Sequence, residues 1–238
     1  MPDLDSHIQM IEHEGYTLTQ LMQYIAKRKT RLMQLNDAAY KKFCGLMNQL
    51  DKQKVGDCTR GELLEQIIST IFDDGYRVLV ECRKNCRTSS NEIDLLLSWT
   101  ENAKFAGFCD VYPCFGEMFL CECKNYTGKV SVTFVGKFYS LLKISGCKFG
   151  ILISIDGVTG KGKWDAGQGL IKKIALKDDI YIIDLNLEDL KKIQENEGDI
   201  FHILYEKWQA LRMDIDYSKY ISAHENQKAF ANDSICDK

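Results

Sequence analysis

The first fifty residues carry apolar side chains at three- and four-residue steps. This period is typical of amphipathic helices, whereas apolar positions in a strand alternate. Gly15 and the threonines at 17 and 19 mark a break followed by a new N-cap. We therefore expect a short helix, then one long helix or a helical hairpin. The apolar positions are Ile8, Ile11, Leu18, Leu21, Met22, Ile25, Leu32, Leu35, Ala39, Phe43, Leu46, Met47 and Leu50.

A different pattern starts near Asp57. The stretch TRGELLEQIISTIFDDGY has one apolar face, a candidate N-cap at Thr59 with Glu62 three residues later, and a terminating Gly75. It predicts a helix. Runs with strand composition follow, separated by segments rich in turn residues. They are YRVLVECR at 76–83, EIDLLLSWT at 92–100 and EMFLCECKN at 117–125.

Beyond residue 130 the chain alternates between helical spacing and continuous apolar runs. The continuous runs are typical of strands buried on both faces. Together with the preceding segments, they predict an α/β fold with a mixed sheet and helices on both faces. Helices are expected at 132–145, 164–176, 186–195 and 199–213, strands at 148–155 and 180–185, and a loose polar tail from Ser222.

Composition and charge narrow the class of protein. The chain has 238 residues, 45% of them hydrophobic, which fits a globular protein with a sizeable core. Its net charge of −3 argues against coating nucleic acid by bulk charge but leaves room for a local basic patch. The ten cysteines lack good zinc-site spacing, so we expect free thiols in a reducing cytosol. With no signal segment and no run of ~20 apolar residues, we expect a soluble, cytoplasmic protein without membrane contact.

Charged residues interrupt two of the predicted strands. Asp94 lies between Ile93 and Leu95, and burying it is costly unless a partner satisfies it. Glu122 and Lys124 share one face of their strand because side chains alternate. Each has an ordinary interpretation: Asp94 as a solvent-facing edge residue, and Glu122–Lys124 as a surface ion pair of little energetic value.

Taken together, the three residues indicate a metal-dependent site. Adjacent strands would bring an Asp, a Glu and a Lys to one place. Carboxylate oxygens suit Mg²⁺ (or Mn²⁺), which can polarise a phosphoryl oxygen and activate a bound water. A neighbouring lysine can orient that water or neutralise charge in the transition state.

Four segments resemble the PD-(D/E)xK nuclease superfamily, and within it the Mrr-like restriction endonuclease branch. They are GELLEQIISTIFDDGYRV, NEIDLLL, FLCECKN and FGILISIDGVTGKGKWDA, and the resemblance covers about Asp57 to Leu190. It implies a restriction-endonuclease-like αβββαβ core. We therefore expect three parts in the chain. They are an N-terminal helical region at 1–56, a nuclease domain at 57–198, and a C-terminal helix and tail at 199–238.

The resemblance also implies roles for individual residues. Asp94 and Glu122 would bind the metal, with the Cys123 carbonyl as a further ligand, and Lys124 would position or activate the water. Glu65 aligns best with an acidic residue that the family's first helix often turns toward the metals. The alternative for Glu65 is a solvated helix residue.

Residues that could contact the substrate flank the predicted site. Lys129 and Tyr126 follow the E-x-K strand, and Lys161 and Lys163 lie in a glycine-rich segment before a helix. An exposed flexible turn is an equal alternative for that segment, and the basic run RKNCR at 83–87 is similarly ambiguous. The long connection at 101–117 could be an insertion near the substrate.

These observations lead to a main functional hypothesis and alternatives. The main hypothesis is a metal-dependent DNA endonuclease of restriction or anti-phage defence, as a homodimer or as an effector subunit recruited by a sensor protein. RNA is not excluded as substrate. The alternative is a non-catalytic nucleic-acid-binding or assembly module, although such a module would not need Asp94, Glu122 and Lys124.

Overall fold

A computed structural model describes most of the chain. It covers residues 33–52, 59–87, 92–124, 128–160, 166–195 and 199–213, with isolated positions at 13, 15, 17 and 20. The helices within these residues are α1 (Asp37–Lys52), α2 (Thr59–Ser69), α3 (Glu101–Phe105), α4 (Phe108–Val111), α5 (Val132–Ser145), α6 (Ala166–Asp178), α7 (Leu187–Glu195) and α8 (Ile200–Arg212). The strands are β1 (Val80–Arg87), β2 (Glu92–Trp99), β3 (Met118–Lys124), β4 (Phe149–Ser154) and β5 (Tyr181–Leu185).

The strands form one five-stranded mixed sheet in the order β1-β2-β3-β4-β5. Strand β2 is antiparallel to both β1 and β3, whereas β3, β4 and β5 run parallel to one another and are joined by α5 and α6. The carboxyl ends of β3, β4 and β5 therefore meet at one edge, and the amino end of β2 lies at that same edge. We call it the carboxyl edge of the sheet.

Alternation along the strands divides the core between the two faces of the sheet. Phe149, Ile151 and Ile153 of β4 belong to the core on the side of α1, α2 and α8. Leu152, between the last two, belongs to the second core, which α5 and α6 cover. Strand β4 is thus buried on both faces, as its continuous apolar run predicted.

The terminal helices pack on the larger core. Phe43, Met47 and Leu50 of α1 are buried in it, as are Phe201 and Leu204 of α8. This contact joins segments that lie outside 57–198 to the sheet. The three-part domain division itself stays a prediction.

The structure describes only part of the N-terminal region for which helices were predicted. Thr17 and Gln20 exchange a reciprocal pair of hydrogen bonds, which confirms the N-cap predicted there. A turn at residues 33–36 precedes α1, and the Asn36 side chain accepts a hydrogen bond from the Ala39 N–H at 3.0 Å. The alternative of one uninterrupted helix through this region is therefore wrong, and the rest of the prediction lies outside the described residues.

Two local predictions are corrected by the structure. The strand expected at 76–83 begins only at Val80, because a π-helical turn, Thr70–Gly75, is followed by a tight turn with Leu79 and Val80 N–H groups bonded to the Tyr76 carbonyl. The connection at 101–117 begins after the last residue of β2. Because β2 is antiparallel to β3, this point lies at the end of the sheet opposite the carboxyl edge. Its buried Phe115 packs against Trp99, so the expectation that it lies near the substrate is wrong.

Two further observations concern the class of protein. None of the described helices is both long and apolar enough to cross a bilayer. The eight cysteines within the described residues form no disulfide.

Candidate active site

Asp94 and Glu122 lie beside each other where the β2–β3 ladder ends. The last paired residues at the carboxyl edge are Leu95 and Cys121, and Asp94 and Glu122 are the next residue on each strand. Beyond this pair the Asp94 Oδ2 atom accepts a hydrogen bond from the Cys123 N–H at 2.7 Å. A carboxylate thus takes a backbone donor at the point where the strands separate, which holds Asp94 against β3.

Glu122 and Lys124 form an ion pair on one face of β3. The Lys124 ammonium donates to Glu122 Oε1, and the two side chains are only 19% and 10% exposed. Burial raises the pKa of Glu122, and the negative charge of Asp94 raises it further, whereas Lys124 lowers it. The cysteines at 121 and 123 face the larger core. As predicted, the Glu122–Lys124 pair and the two cysteines lie on opposite faces of β3.

The donor set fits a small divalent cation. Glu122 Oε2 is buried and has no hydrogen-bond partner in the structure, so a carboxylate oxygen is left to be satisfied by another group. Within the described residues, no cluster of three His, Cys, Asp or Glu side chains could hold a metal alone. Mg²⁺ commonly uses one or two protein carboxylates and completes its coordination with water and substrate phosphate oxygens. Asp94 and Glu122 provide such a pair.

Glu65 reaches the same site from α2. Glu65, Asp94 and Cys123 line one cavity of about 550 Å³, which we call the α2–β2 cavity. Partial burial raises the pKa of Glu65, and the charges of Asp94 and Glu62 raise it further. Glu65 is also exposed, so the alternative of a solvated helix residue stays open. Its catalytic role stays a prediction.

Other residues of the α2–β2 cavity were not assigned from the sequence. Lys84 and Asn85 enter from β1, and Lys42 enters from α1. The basic run at 83–87 was a signal for Lys84, but nothing in the sequence indicated that α1 would bring Lys42 to the same place. The cavity is also lined by Glu62, Gln66, Ser69, Thr70 and Leu95.

The predicted substrate-contact residues are only partly described. Lys129 is exposed and precedes Val130, which forms an isolated parallel bridge with Val158. Lys129 is thus near the carboxyl edge, but the structure gives it no contact with Glu122 or Asp94. Tyr126, Lys161 and Lys163 lie outside the described residues.

Asp184 at the end of β5 anchors the loop that follows β4. Its Oδ2 atom accepts hydrogen bonds from the Val158 N–H at 3.0 Å and from the Gln168 side chain at 2.9 Å. Burial raises its pKa, and these donors act in the opposite direction. Sequence reasoning missed this residue, because an Asp near the end of an apolar strand gives no sign of which loop will fold over it.

Comparisons with known proteins identify the family. Neither a search of curated proteins nor a search of solved structures found a match to this chain. A family model described as restriction endonuclease, the Mrr-type catalytic domain, matches residues 58–185. The matched region runs from α2 to β5 and agrees with the mixed sheet covered by helices on both faces. Because the match covers more than half of the chain, the protein belongs to the Mrr-type restriction endonuclease family, with a restriction-endonuclease-like fold.

Proposed function

We propose that this chain is a divalent-metal-dependent endonuclease that hydrolyses phosphodiester bonds of DNA. The observation that carries the proposal is the grouping of Asp94, Glu122 and Lys124 at the carboxyl edge of the sheet, within the region that matches the restriction endonuclease family. These three charged side chains lie where two largely apolar strands separate, and burying a carboxylate there is costly unless another group satisfies it.

Asp94 and Glu122 would hold Mg²⁺ or Mn²⁺, with the Cys123 carbonyl as a further ligand. When bound, the cation would polarise a phosphoryl oxygen and lower the pKa of a coordinated water. The Cys123 N–H keeps Asp94 in position, so this carboxylate needs little reorganisation to act. The buried Glu122 Oε2 atom has no competing hydrogen-bond partner in the structure.

Lys124 would orient the attacking water and offset charge on the phosphorus oxygens as the bond to the leaving oxygen breaks. Its ammonium lies beside Glu122 and is mostly screened from solvent, which strengthens its electrostatic effect. Glu65 would act from the other wall of the α2–β2 cavity, as a second acidic group close to Asp94.

The family also supports a setting for this activity. A restriction endonuclease acts on DNA, so we propose DNA as substrate and a role in restriction or anti-phage defence. In this setting the chain would work as a homodimer or as the effector subunit of a sensor protein. Lys129, Tyr126, Lys161 and Lys163 remain the proposed contacts to the nucleic-acid backbone.

Plasmid cleavage tests the proposal. We expect the wild-type protein to nick supercoiled DNA with Mg²⁺ or Mn²⁺ and to stop when the metal is chelated. Asp94→Ala and Lys124→Ala should each slow cleavage by about 10²-fold or more. Lys104→Ala is the matched control, because Lys104 forms an exposed ion pair with Glu101 at the opposite end of the sheet.

The outcomes separate the competing functions. Equal nicking by wild type, Asp94→Ala and Lys124→Ala would contradict the assigned site and indicate a contaminating nuclease. DNA binding without cleavage under any metal would contradict an enzyme that acts alone, and would favour the non-catalytic module or an effector that lacks its sensor partner. Cleavage of RNA in preference to DNA of the same sequence would overturn the proposed substrate.

A further inference from the structure

The π-helical turn after α2 holds two lysines with consecutive aspartates. Asp73 contacts the Lys84 ammonium at 2.7 Å, and Asp74 contacts the Lys42 ammonium at 2.7 Å. Lys84 also donates to the Ser69 hydroxyl at 2.6 Å. An α1 residue and a β1 residue are thereby fixed to one short turn. Wide helical turns of this kind occur frequently at functional sites.

Both lysines line the α2–β2 cavity that Glu65 and Asp94 share. Among the residues that the structure describes, no other lysine or arginine lines this cavity. The backbone of β1 helps to bring Lys84 there. Asn85 has a φ of 50°, in the left-handed region, and lies between the Lys84–Leu95 and Cys86–Ile93 pairs of the β1–β2 ladder. As a result, Lys84 and Asn85 both line the cavity, although neighbouring residues of a regular strand face opposite sides.

We propose that Lys42 and Lys84 form a phosphate-binding rim, which contacts the nucleic-acid backbone next to the phosphate that is cleaved at Asp94 and Glu122. The inference rests on the proposed function. It identifies the side of the α2–β2 cavity that contacts the nucleic-acid backbone beyond the cleaved phosphate. Without cations, the carboxylates of Glu62, Glu65 and Asp94 would repel a polyanion from this cavity. Two ammonium groups on the facing elements offset that repulsion.

The ion pairs of the free protein are compatible with this role. All four side chains are about half exposed, and ion pairs in such positions contribute little net stability. A phosphate can therefore share or replace the aspartates at modest cost. The hydrogen bond to Asp73 raises the pKa of Lys84, so its ammonium stays charged at neutral pH.

A purely structural role for the lysines makes a different prediction. If Lys84 serves only to tie β1 to the π-helical turn, removing either member of its pair with Asp73 should have the same effect. If Lys84 binds phosphate, removing Lys84 should weaken binding, whereas removing the competing carboxylate of Asp73 should leave binding unchanged or tighter. The sign of the Asp73→Asn effect therefore separates the two roles.

The experiment measures binding of the full chain to a short fluorescent DNA duplex, by anisotropy over a range of salt concentrations. Chelator is present throughout, so that neither cleavage nor metal loading affects the result. The variants are Lys84→Met, Lys42→Met and Asp73→Asn, and methionine keeps most of the apolar stem of lysine. Lys104→Met is the control, since it removes a lysine from an exposed ion pair far from the cavity.

We expect Lys84→Met and Lys42→Met each to weaken binding by roughly eightfold in about 0.1 M salt, and to make the salt dependence shallower by about 0.9 per lysine. Asp73→Asn should bind at least as tightly as wild type, and Lys104→Met should bind as wild type. Equal weakening by Lys84→Met and Asp73→Asn, or an unchanged salt dependence in both lysine variants, would overturn the rim.

Failure of the rim and failure of the nuclease proposal are distinguishable. Wild-type cleavage together with unaltered binding by both lysine variants would overturn the rim alone. Weakened binding by these variants in a protein that does not cut would support the rim and contradict a nuclease that acts without a partner. A wild-type protein that binds no DNA would overturn both.

Discussion

The Lys124 ammonium has an aromatic neighbour as well as a carboxylate. Besides its ion pair with Glu122, it lies 5.7 Å from the centroid of the Phe134 ring at the start of α5. The face of an aromatic ring attracts a cation by about 0.5–1 kcal/mol at partly exposed sites. This attraction does not depend on Glu122, so the ring can keep the ammonium in place while the carboxylate binds something else. We therefore predict that Phe134 positions Lys124 for the role proposed for this lysine.

Replacing Phe134 should affect the rate of cleavage more than the binding of DNA. Phe134→Leu removes the aromatic face while keeping an apolar side chain, and we expect the single-turnover rate to fall about two- to fivefold. The dissociation constant for DNA should stay unchanged, because Phe134 carries no charge. Phe134→Trp should restore the rate, since it keeps an aromatic face for the ammonium. Quenched-flow cleavage with protein in excess measures the rate.

Tyr139→Leu is the matched control for Phe134→Leu. Tyr139 lies on the same helix, and its ring has Lys143 at 5.6 Å from its centroid. This contact is remote from β3, so its loss should leave the cleavage rate unchanged. Equal slowing by Phe134→Leu and Tyr139→Leu would attribute the effect to the stability of α5 and contradict the positioning role.

The sequence predicts which side chains of one strand share a face. It does not predict which residues of separate elements come into contact. Alternation was enough to predict that Glu122 and Lys124 share a face and that Cys121 lies on the other one. The contact between Lys124 and Phe134 depends on how α5 crosses β3, and that angle is set by packing. The same holds for Lys42, which reaches the α2–β2 cavity only because α1 packs beside the π-helical turn.

At the scale of elements, Gly150 lets α5 lie close to β4. A Cβ atom at this position would come within 2.7 Å of the Phe138 ring and 2.8 Å of Leu142, closer than side chains tolerate. The strand therefore lacks a side chain directly under the helix. This close approach fixes the height of α5 above the sheet, and with it the distance from Phe134 to Lys124.

Gly150→Ala should destabilise the fold by about 1–3 kcal/mol, because a methyl group is added to a packed core. Gly136→Ala on α5 is the control, since a Cβ there meets nothing within 4 Å. It should raise stability by about 0.5–1 kcal/mol, as alanine favours the helix. Urea denaturation measures both changes. Equal stability of Gly150→Ala and wild type would show that α5 can move outward freely.

The order of the elements could be predicted from periodicity, but their ends and connections could not. Strands β4 and β5 were evident as apolar runs, and α5 followed from its helical spacing. The strand predicted at 76–83 begins only at Val80, because a tight turn occupies 76–79 and buries apolar side chains as a strand would. Tyr76, Leu79 and Val80 are all buried, so hydrophobicity alone did not reveal the backbone that carries them.

At the scale of the whole molecule, aromatic side chains join the C-terminal helix to the sheet. Phe201 of α8 stacks on Trp99 of β2 at 5.4 Å between centroids and meets Tyr76 edge-on at 4.9 Å. Phe115 of the 101–117 connection packs against both Phe201 and Trp99. The end of the sheet opposite the candidate active site is thus closed by rings from four distant parts of the sequence.

The Tyr76 hydroxyl links three separate segments of the chain through hydrogen bonds. It donates to the Met33 carbonyl at 2.8 Å, ahead of α1, and accepts from the Ile200 N–H at 3.4 Å, at the start of α8. Tyr76 is only 1% exposed, and burial raises the pKa of its phenol, so the hydroxyl stays protonated and able to donate. Tyr76 therefore ties both terminal helices to the turn between α2 and β1.

Tyr76→Phe should lower the free energy of unfolding by about 1–3 kcal/mol, because a buried carbonyl loses its donor and a backbone N–H loses its acceptor. Urea denaturation measures this loss, and its denaturant slope should not change, since the surface exposed on unfolding stays the same.

Tyr181→Phe is the control for Tyr76→Phe. The Tyr181 hydroxyl bonds at 2.8 Å to the exposed Asp179, where water can replace it, so the loss of stability should be smaller. Hydrogen exchange should show faster opening of α8 in Tyr76→Phe, while β4, covered on both faces, keeps its protection. Equal stability of Tyr76→Phe and wild type would mean that ring packing alone holds α8 in place.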